Sequence, residues 1–237
     1  MSAPGEERKD ETGAGAEGGQ AGGFASPPCL LHELDPAFRG TLPDPQQALD
    51  VARWRKAERE RLLAWRAGLA PAERGAGTAA IAAGLTGLLG PLRGRVVSGY
   101  MPFRGEPDLR AWMEAVWVAG GRCALPVVVR KAAPLVFRLW RRGEPLTPGI
   151  WNIPVPATGA EVLPDVVIAP LVGFSRDGYR LGYGGGFFDR TLAALAPRPL
   201  AVGVGYAAQQ LATIFPQPHD IPLRALVTEG ETLSCPA

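Results

Sequence analysis

The segment RLGYGGGFFDR, residues 180–190, places four glycines, three aromatic rings, one carboxylate and two guanidinium groups within eleven positions. Glycine has no Cβ, so such a backbone can bend tightly and offer its N–H groups to a phosphate at close range, and a helix beginning just beyond it adds a favourable field. The spacing is not a Walker A sequence, because no Gly-Lys-Ser/Thr is present. Nor is it the dinucleotide fingerprint, because Phe187 stands where a third glycine belongs. A turn that lets a helix pack on a sheet is the competing reading of the glycines alone. Arg180, Asp189 and the aromatic rings favour phosphate over a plain turn.

A loop of this kind needs a scaffold. Before it, PDVVIAPLVGF is a continuous apolar run of the sort found in a strand buried on both faces, ending near Phe174. Ligands in open α/β sheets settle beyond the carboxyl ends of such strands. After it, residues 191–195 look like a helix leading to the strand PLAVGVGY. Upstream, residues 45–68 read as a long helix with Leu49, Trp54, Leu62 and Trp65 available for packing, and residues 71–89 as a second helix. GRVVSGYMPF then supplies a short strand and a loop. DLRAWMEAVWVAG is an amphipathic helix with Leu109, Trp112, Met113, Val116 and Trp117 on one face. CALPVVV and PLVFRLW follow as strands, and RALVTEG is the last strand expected. Strands alternating with helices predict a mostly parallel sheet covered on both sides.

With 237 residues, 46% hydrophobic and 20% charged, the chain can bury one sizeable core, so one main domain is expected. Residues 1–24 are rich in Gly, Ala and Glu with almost no large apolar side chain, which predicts a disordered tail. Residues 25–44 carry a few leucines between prolines, so residues 1–44 are expected to be a disordered or loosely docked extension of a domain over residues 45–237. A net charge of +2 argues against a nucleic-acid groove, and the arginines over residues 53–66 read as solvated helix surface. Three scattered cysteines and two histidines make neither a zinc site nor a disulfide framework. No secretory leader and no run long enough to span a bilayer is visible, so a cytoplasmic protein without a membrane partner is expected.

PDVVIAPLVGFSRDGYRLGYGGGFFDRTLA closely resembles the signature region of the 5-formyltetrahydrofolate cyclo-ligase (methenyltetrahydrofolate synthetase) family. The resemblance runs over about residues 50–229 through GYMPFRGEPD, LTPGIWNIPVP and PQPHDIPLRALVTEG. It implies a three-layer α/β sandwich with an open, mostly parallel sheet and a Gly-rich phosphate-binding loop. It also implies ATP-dependent conversion of 5-formyltetrahydrofolate to 5,10-methenyltetrahydrofolate, a small-molecule folate and ATP being the partners. Carried over by position, Arg180, Gly182, Tyr183, Gly184, Gly185, Gly186, Phe187 and Phe188 would hold the ATP phosphates, with Arg180 as catalytic counter-charge, and Asp189 would help hold Mg2+. Arg55 and Arg59 match a Lys and an Arg directed at ATP, with Lys56 a competitor one position away. Met101, Glu106 and Trp151 match folate-contacting positions. Without the resemblance, Met101 reads as core, Glu106 as a charge at a helix N-terminus, and Trp151 as a wedge under a proline loop.

The sequence departs from the family pattern at three places. Arginine replaces lysine at Arg55, Phe187 and Phe188 stand where a Tyr-Tyr pair is usual, and Arg224 stands where an aspartate associated with the metal is common, with His219 and Asp220 nearby as compensation. An arginine beside a magnesium site predicts an alternative, a catalytically impaired paralogue that keeps the nucleotide or folate cleft and serves as a regulatory protein.

Overall fold

A computed structural model describes residues 45–236; the extension expected over residues 1–44 lies outside the described residues. Helix α1 (Pro45–Ala67) and helix α2 (Pro71–Leu89) come first. α2 begins with proline at its first position, where no N–H partner is needed, and the Glu73 carboxylate accepts the Ala70 N–H at 2.9 Å. Strand β1 (Val96–Ser98) leads through helix α3 (Arg110–Val118) to β2 (Arg122–Val127). An antiparallel strand, β3 (Val136–Leu139), and a small hairpin of β4 (Leu146–Pro148) and β5 (Pro154–Pro156) follow. The chain continues through β6 (Val166–Pro170) and a second hairpin, β7 (Gly173–Phe174) and β8 (Arg180–Leu181). Helix α4 (Phe187–Ala194), β9 (Leu200–Val204), β10 (Ala225–Val227) and β11 (Thr232–Ser234) complete it.

The main sheet has seven strands in the order β11-β10-β9-β6-β1-β2-β3. Its five inner strands are parallel, and each edge strand, β11 and β3, is antiparallel to its neighbour. Register alternation divides the core. Val166 and Ile168 face one side with Ile81, Leu85 and Leu89 of α2 and Trp112, Met113 and Val116 of α3, while Val167 and Ala169 face the other with Phe137, Leu192 of α4 and Leu226. Burying each large apolar side chain contributes about 1.5–3 kcal/mol, which makes this two-faced sheet the main source of stability.

Four sequence expectations change. RALVTEG is followed by one more strand, β11, which covers the edge of β10. The run PDVVIAPLVGF breaks into β6 and β7. The helix expected at 191–195 starts four residues earlier, at Phe187, so the aromatic pair and Asp189 lie in its first turn. Finally, of the side chains expected to pack from α1, Leu62 is buried and Trp54 meets Phe215, but Leu49 and Trp65 are not on the inward side. Leu49 is 53% exposed and Trp65 37% exposed, whereas Val51, Arg55, Leu62 and Arg66 are buried. The arginines of this helix are therefore only partly solvated surface.

Candidate functional site

β1 connects to β2 on one side of the sheet and β6 connects to β9 on the other, so the gap between β1 and β6 is a topological switch point. A crevice is expected beyond the carboxyl ends of such strands. A cavity of about 230 Å³ occurs there, lined by Tyr100 and Met101 after β1, Val127 and Val128 at the end of β2, and Pro170 at the end of β6. Arg55, Arg59, Met101, Glu106, Trp151, Arg180, Gly182, Tyr183, Gly184, Gly185, Gly186, Phe187, Phe188 and Asp189 all line this one space.

At one end the glycine loop runs from β8 into α4. Gly184 has φ 93° and Gly186 φ 61°, left-handed conformations that L side chains rarely adopt, so these two positions require glycine. The first-turn amides of α4 have no partner within the helix and face the loop's end, which suits an anion. Arg180 is buried beside them, its Nη2 2.9 Å from Asp189 Oδ1 and its guanidinium carbon 5.3 Å from the centre of the Phe188 ring. Nη2 is taken by this ion pair, whereas the buried Nε of Arg180 has no hydrogen-bond partner, so the pair does not use the whole guanidinium fork. Burial lowers the pKa of Arg180, and the nearby Asp189 carboxylate counters that shift.

α1 braces this end. The Arg59 Nε donates to the Gly182 carbonyl at 2.7 Å, and burial together with the neighbouring Arg55 charge lowers the Arg59 pKa. Arg55 instead grips the loop before β10: Nε donates to Ile214 O at 2.9 Å, Nη2 to Phe215 O at 2.8 Å, and the guanidinium pairs with Asp220 at 2.5 Å. Its charge borders the cavity while its donors hold protein oxygens. His219 also lines the cavity, with its side chain 75% exposed.

At the other end a carboxylate is sunk among aromatic and apolar groups. Glu106 is buried; its Oε2 accepts the Phe103 N–H at 2.9 Å and its Oε1 accepts the Tyr183 hydroxyl at 2.9 Å. Burial pushes its pKa up to about 7, against the lowering pull of Arg66 and these hydrogen bonds. Glu106 is thus no simple helix-terminal charge. Met101 is at once core and cavity wall. Trp151 is 54% exposed, in a turn between β4 and β5, with its ring centroid 6.4 Å from that of Phe187, so it lines the cavity on the glycine-loop side.

Arg224 corrects an expectation. It is exposed, its backbone N–H pairs with Ala201 O at 2.9 Å, and it does not line the cavity; the acidic residue brought there from this segment is Asp220. Arg66, expected with its cluster to be solvated helix surface, is instead fully buried. The stripe Val51, Arg55, Arg59, Leu62, Arg66 has helical spacing that puts all five on one face, and that spacing was the available signal.

For a divalent cation, the described residues contain no group of three or more His, Cys, Asp or Glu side chains placed to hold a metal by themselves. Magnesium is commonly held by one or two carboxylates, with phosphate oxygens and water completing an octahedron. Asp189 at the helix start and Asp220 line the same cavity, with the Ile221 N–H donating to Asp189 Oδ1 at 3.3 Å; each is paired with an arginine, Arg180 and Arg55, and as two carboxylates they fit that donor set.

Fold and site thus define an α/β protein with an arginine-bearing, glycine-lined cleft at its sheet's switch point and a buried carboxylate in the same cleft. The family model described as the 5-formyltetrahydrofolate cyclo-ligase family matches residues 51–229, and the chain belongs to that family. It is 37% identical over 142 residues to a 5-formyltetrahydrofolate cyclo-ligase of Escherichia coli K12, covering 57% of this chain and 78% of the relative. It is 32% identical over 145 residues to one of Mycolicibacterium smegmatis, covering 58% and 75%. Among solved structures it is similar to the 5,10-methenyltetrahydrofolate synthetase of Aquifex aeolicus, with TM-score 0.67, 28% identity and coverage of 77% of this chain and 93% of the other. The synthetase of Mycoplasma pneumoniae shares the fold at TM-score 0.62 and 23% identity, with coverage of 74% and 98%.

Proposed function

We propose that this chain is an ATP-dependent 5-formyltetrahydrofolate cyclo-ligase, producing 5,10-methenyltetrahydrofolate, ADP and phosphate, with residues 45–237 as its catalytic domain. The observation that carries the reading is one cavity with two unlike ends: the buried Arg180 guanidinium with the glycine loop, and the buried Glu106 carboxylate beside Phe103 and Tyr183. The first end suits a triphosphate, the second a flat heterocycle bearing N–H groups. Among the described residues Cys123 and Cys235 are free thiols, which fits a reducing cytoplasm.

A formamide oxygen is a poor leaving group. Its attack on the γ-phosphorus of ATP breaks the bond to the β,γ-bridging oxygen, releases ADP and leaves the formyl carbon linked to a phosphate ester. The second folate nitrogen then attacks that carbon, its proton is lost to solvent, and the C–O bond breaks with phosphate leaving, which closes the ring. Arg180 and the α4 amides neutralise charge on the transferring phosphoryl group, a task of positioning and electrostatics. Arg59 holds the loop through the Gly182 carbonyl. Glu106 orients the pterin by accepting its N–H groups, and Met101 and Trp151 border its ring. Asp189, aided by Asp220, would hold Mg2+, which when bound would offset phosphate charge. The exposed position of Arg224, outside the cavity lining, supports the active enzyme over an impaired paralogue.

The reading is tested by product stoichiometry. ADP and phosphate should appear one for one with methenyltetrahydrofolate and only when 5-formyltetrahydrofolate is present; ATP hydrolysis indifferent to folate would contradict it.

A further inference from the structure

No step of the proposed reaction uses Arg66, yet it has 0% exposure and is the largest fully buried side chain of the described residues. Its Nε donates to Arg104 O at 2.8 Å and its Nη1 to Leu171 O at 3.0 Å. Its Nη2 donates to the Tyr183 hydroxyl at 2.5 Å and lies 4.0 Å from Glu106 Oε1. The same hydroxyl donates to Glu106 Oε1 at 2.9 Å. A guanidinium, a hydroxyl and a carboxylate thus form a relay that starts on α1, passes through the glycine loop and ends at the heterocycle end of the cavity.

We propose that Arg66 is a positioning residue for folate recognition: acting through the Tyr183 hydroxyl, it fixes the direction of the Glu106 carboxylate and keeps it an acceptor for pterin N–H groups. The inference rests on the cyclo-ligase reading for the identity of the ligand. It also moves the Tyr183 hydroxyl from the nucleotide side to the folate side, leaving the Tyr183 backbone in the glycine loop.

A merely structural arginine would be satisfied by carbonyl oxygens. Arg66 has two such bonds and directs the rest of its fork at a hydroxyl already committed to a carboxylate. A carboxylate buried as deeply as Glu106 favours its neutral form, which offers a proton where a pterin N–H needs an acceptor. Arg66, the Phe103 N–H and the Tyr183 hydroxyl oppose that tendency. Other groups facing this cluster are Tyr100, whose pKa burial and Glu106 raise well above normal, Tyr206, raised by burial, Asp108, and Arg74, which borders a shallow pocket with Glu106 while its own Nη1 donates to Leu69 O at 2.7 Å. Neither tyrosine carries charge near neutral pH, so Arg66 is the counter-charge that matters there.

The test uses the full chain as wild type and as Arg66→Met, Arg66→Lys, Tyr183→Phe and Glu106→Gln. The protonated-carboxyl band lost in Glu106→Gln is titrated by difference infrared spectroscopy without ligand. Its midpoint should rise by about one unit in Arg66→Met and Tyr183→Phe and return most of the way in Arg66→Lys. The KM for 5-formyltetrahydrofolate should rise about tenfold at pH 7 while that for ATP stays within about twofold. Tyr183→Phe removes a single oxygen and keeps the test decisive if Arg66→Met does not fold. An unmoved midpoint, or equal increases in both KM values, overturns the role of Arg66. Absent wild-type turnover contradicts the cyclo-ligase reading instead, and the ligand-free titration separates the two.

Discussion

Arg180 and Asp189 face each other across the glycine loop, Nη2 to Oδ1 at 2.9 Å, one from β8 and the other from the first turn of α4. Their pairing holds the loop's two ends together, while the Arg180 Nε has no partner. Arg180→Ala is expected to lower kcat by about 10²–10³, the usual cost of losing a preorganised charge at a reacting group. Arg180→Lys should recover only part, because a point charge cannot pair with Asp189 and a phosphate as a planar fork does. Steady-state kinetics at saturating folate checks both.

Glu106 gives the enzyme a pH response. Its folded pKa, about 7, lies above the ordinary 4.5, so the folded state binds more protons than the unfolded state between these values. Its contribution to stability is therefore fully present below about pH 4.5, falls as pH rises, and is lost above about 7. The total is of order 3 kcal/mol for a shift of this size. Glu106→Gln should flatten that part of the stability profile in urea titrations at a series of pH values. For binding the sign reverses: the ionised acceptor forms as pH rises through about 7, so the folate KM should fall there and be flat in the glutamine variant.

Gly186 tests the loop itself. A Cβ there would lie 2.9 Å from Arg190 Nη1, at a φ of 61°. Gly186→Ala should cost about 1–2 kcal/mol in stability. It should raise the KM for ATP more than that for folate, read by paired saturation curves.

Arg224→Asp restores a residue common in the family, yet the side chain is exposed and outside the cavity. Turnover and its magnesium dependence should stay within about twofold of wild type, as for most surface changes. A gain of tenfold or more would place this position at the metal after all.

Much of this architecture was legible because it rests on local patterning. The alternating strands and helices, α2 with its proline start, and the amphipathic α3 each carry a period that burial enforces. The glycine loop was legible because few backbones need four glycines in five residues. What escaped was set by long-range packing. Leu49 reads as apolar core but is 53% exposed, whereas Arg66 reads as surface and is buried by groups more than thirty positions away, as its bonds to Arg104 and Leu171 show. Arg224 was misplaced because the direction of a side chain leaving a strand start depends on register with β9, which one sequence does not display.

The most direct test follows methenyltetrahydrofolate by its absorbance, from 5-formyltetrahydrofolate and ATP, with and without magnesium, in wild type and Arg180→Ala. The account expects magnesium-dependent turnover that collapses in the variant. Saturable binding of ATP and folate without turnover, or turnover untouched by Arg180→Ala, would contradict it.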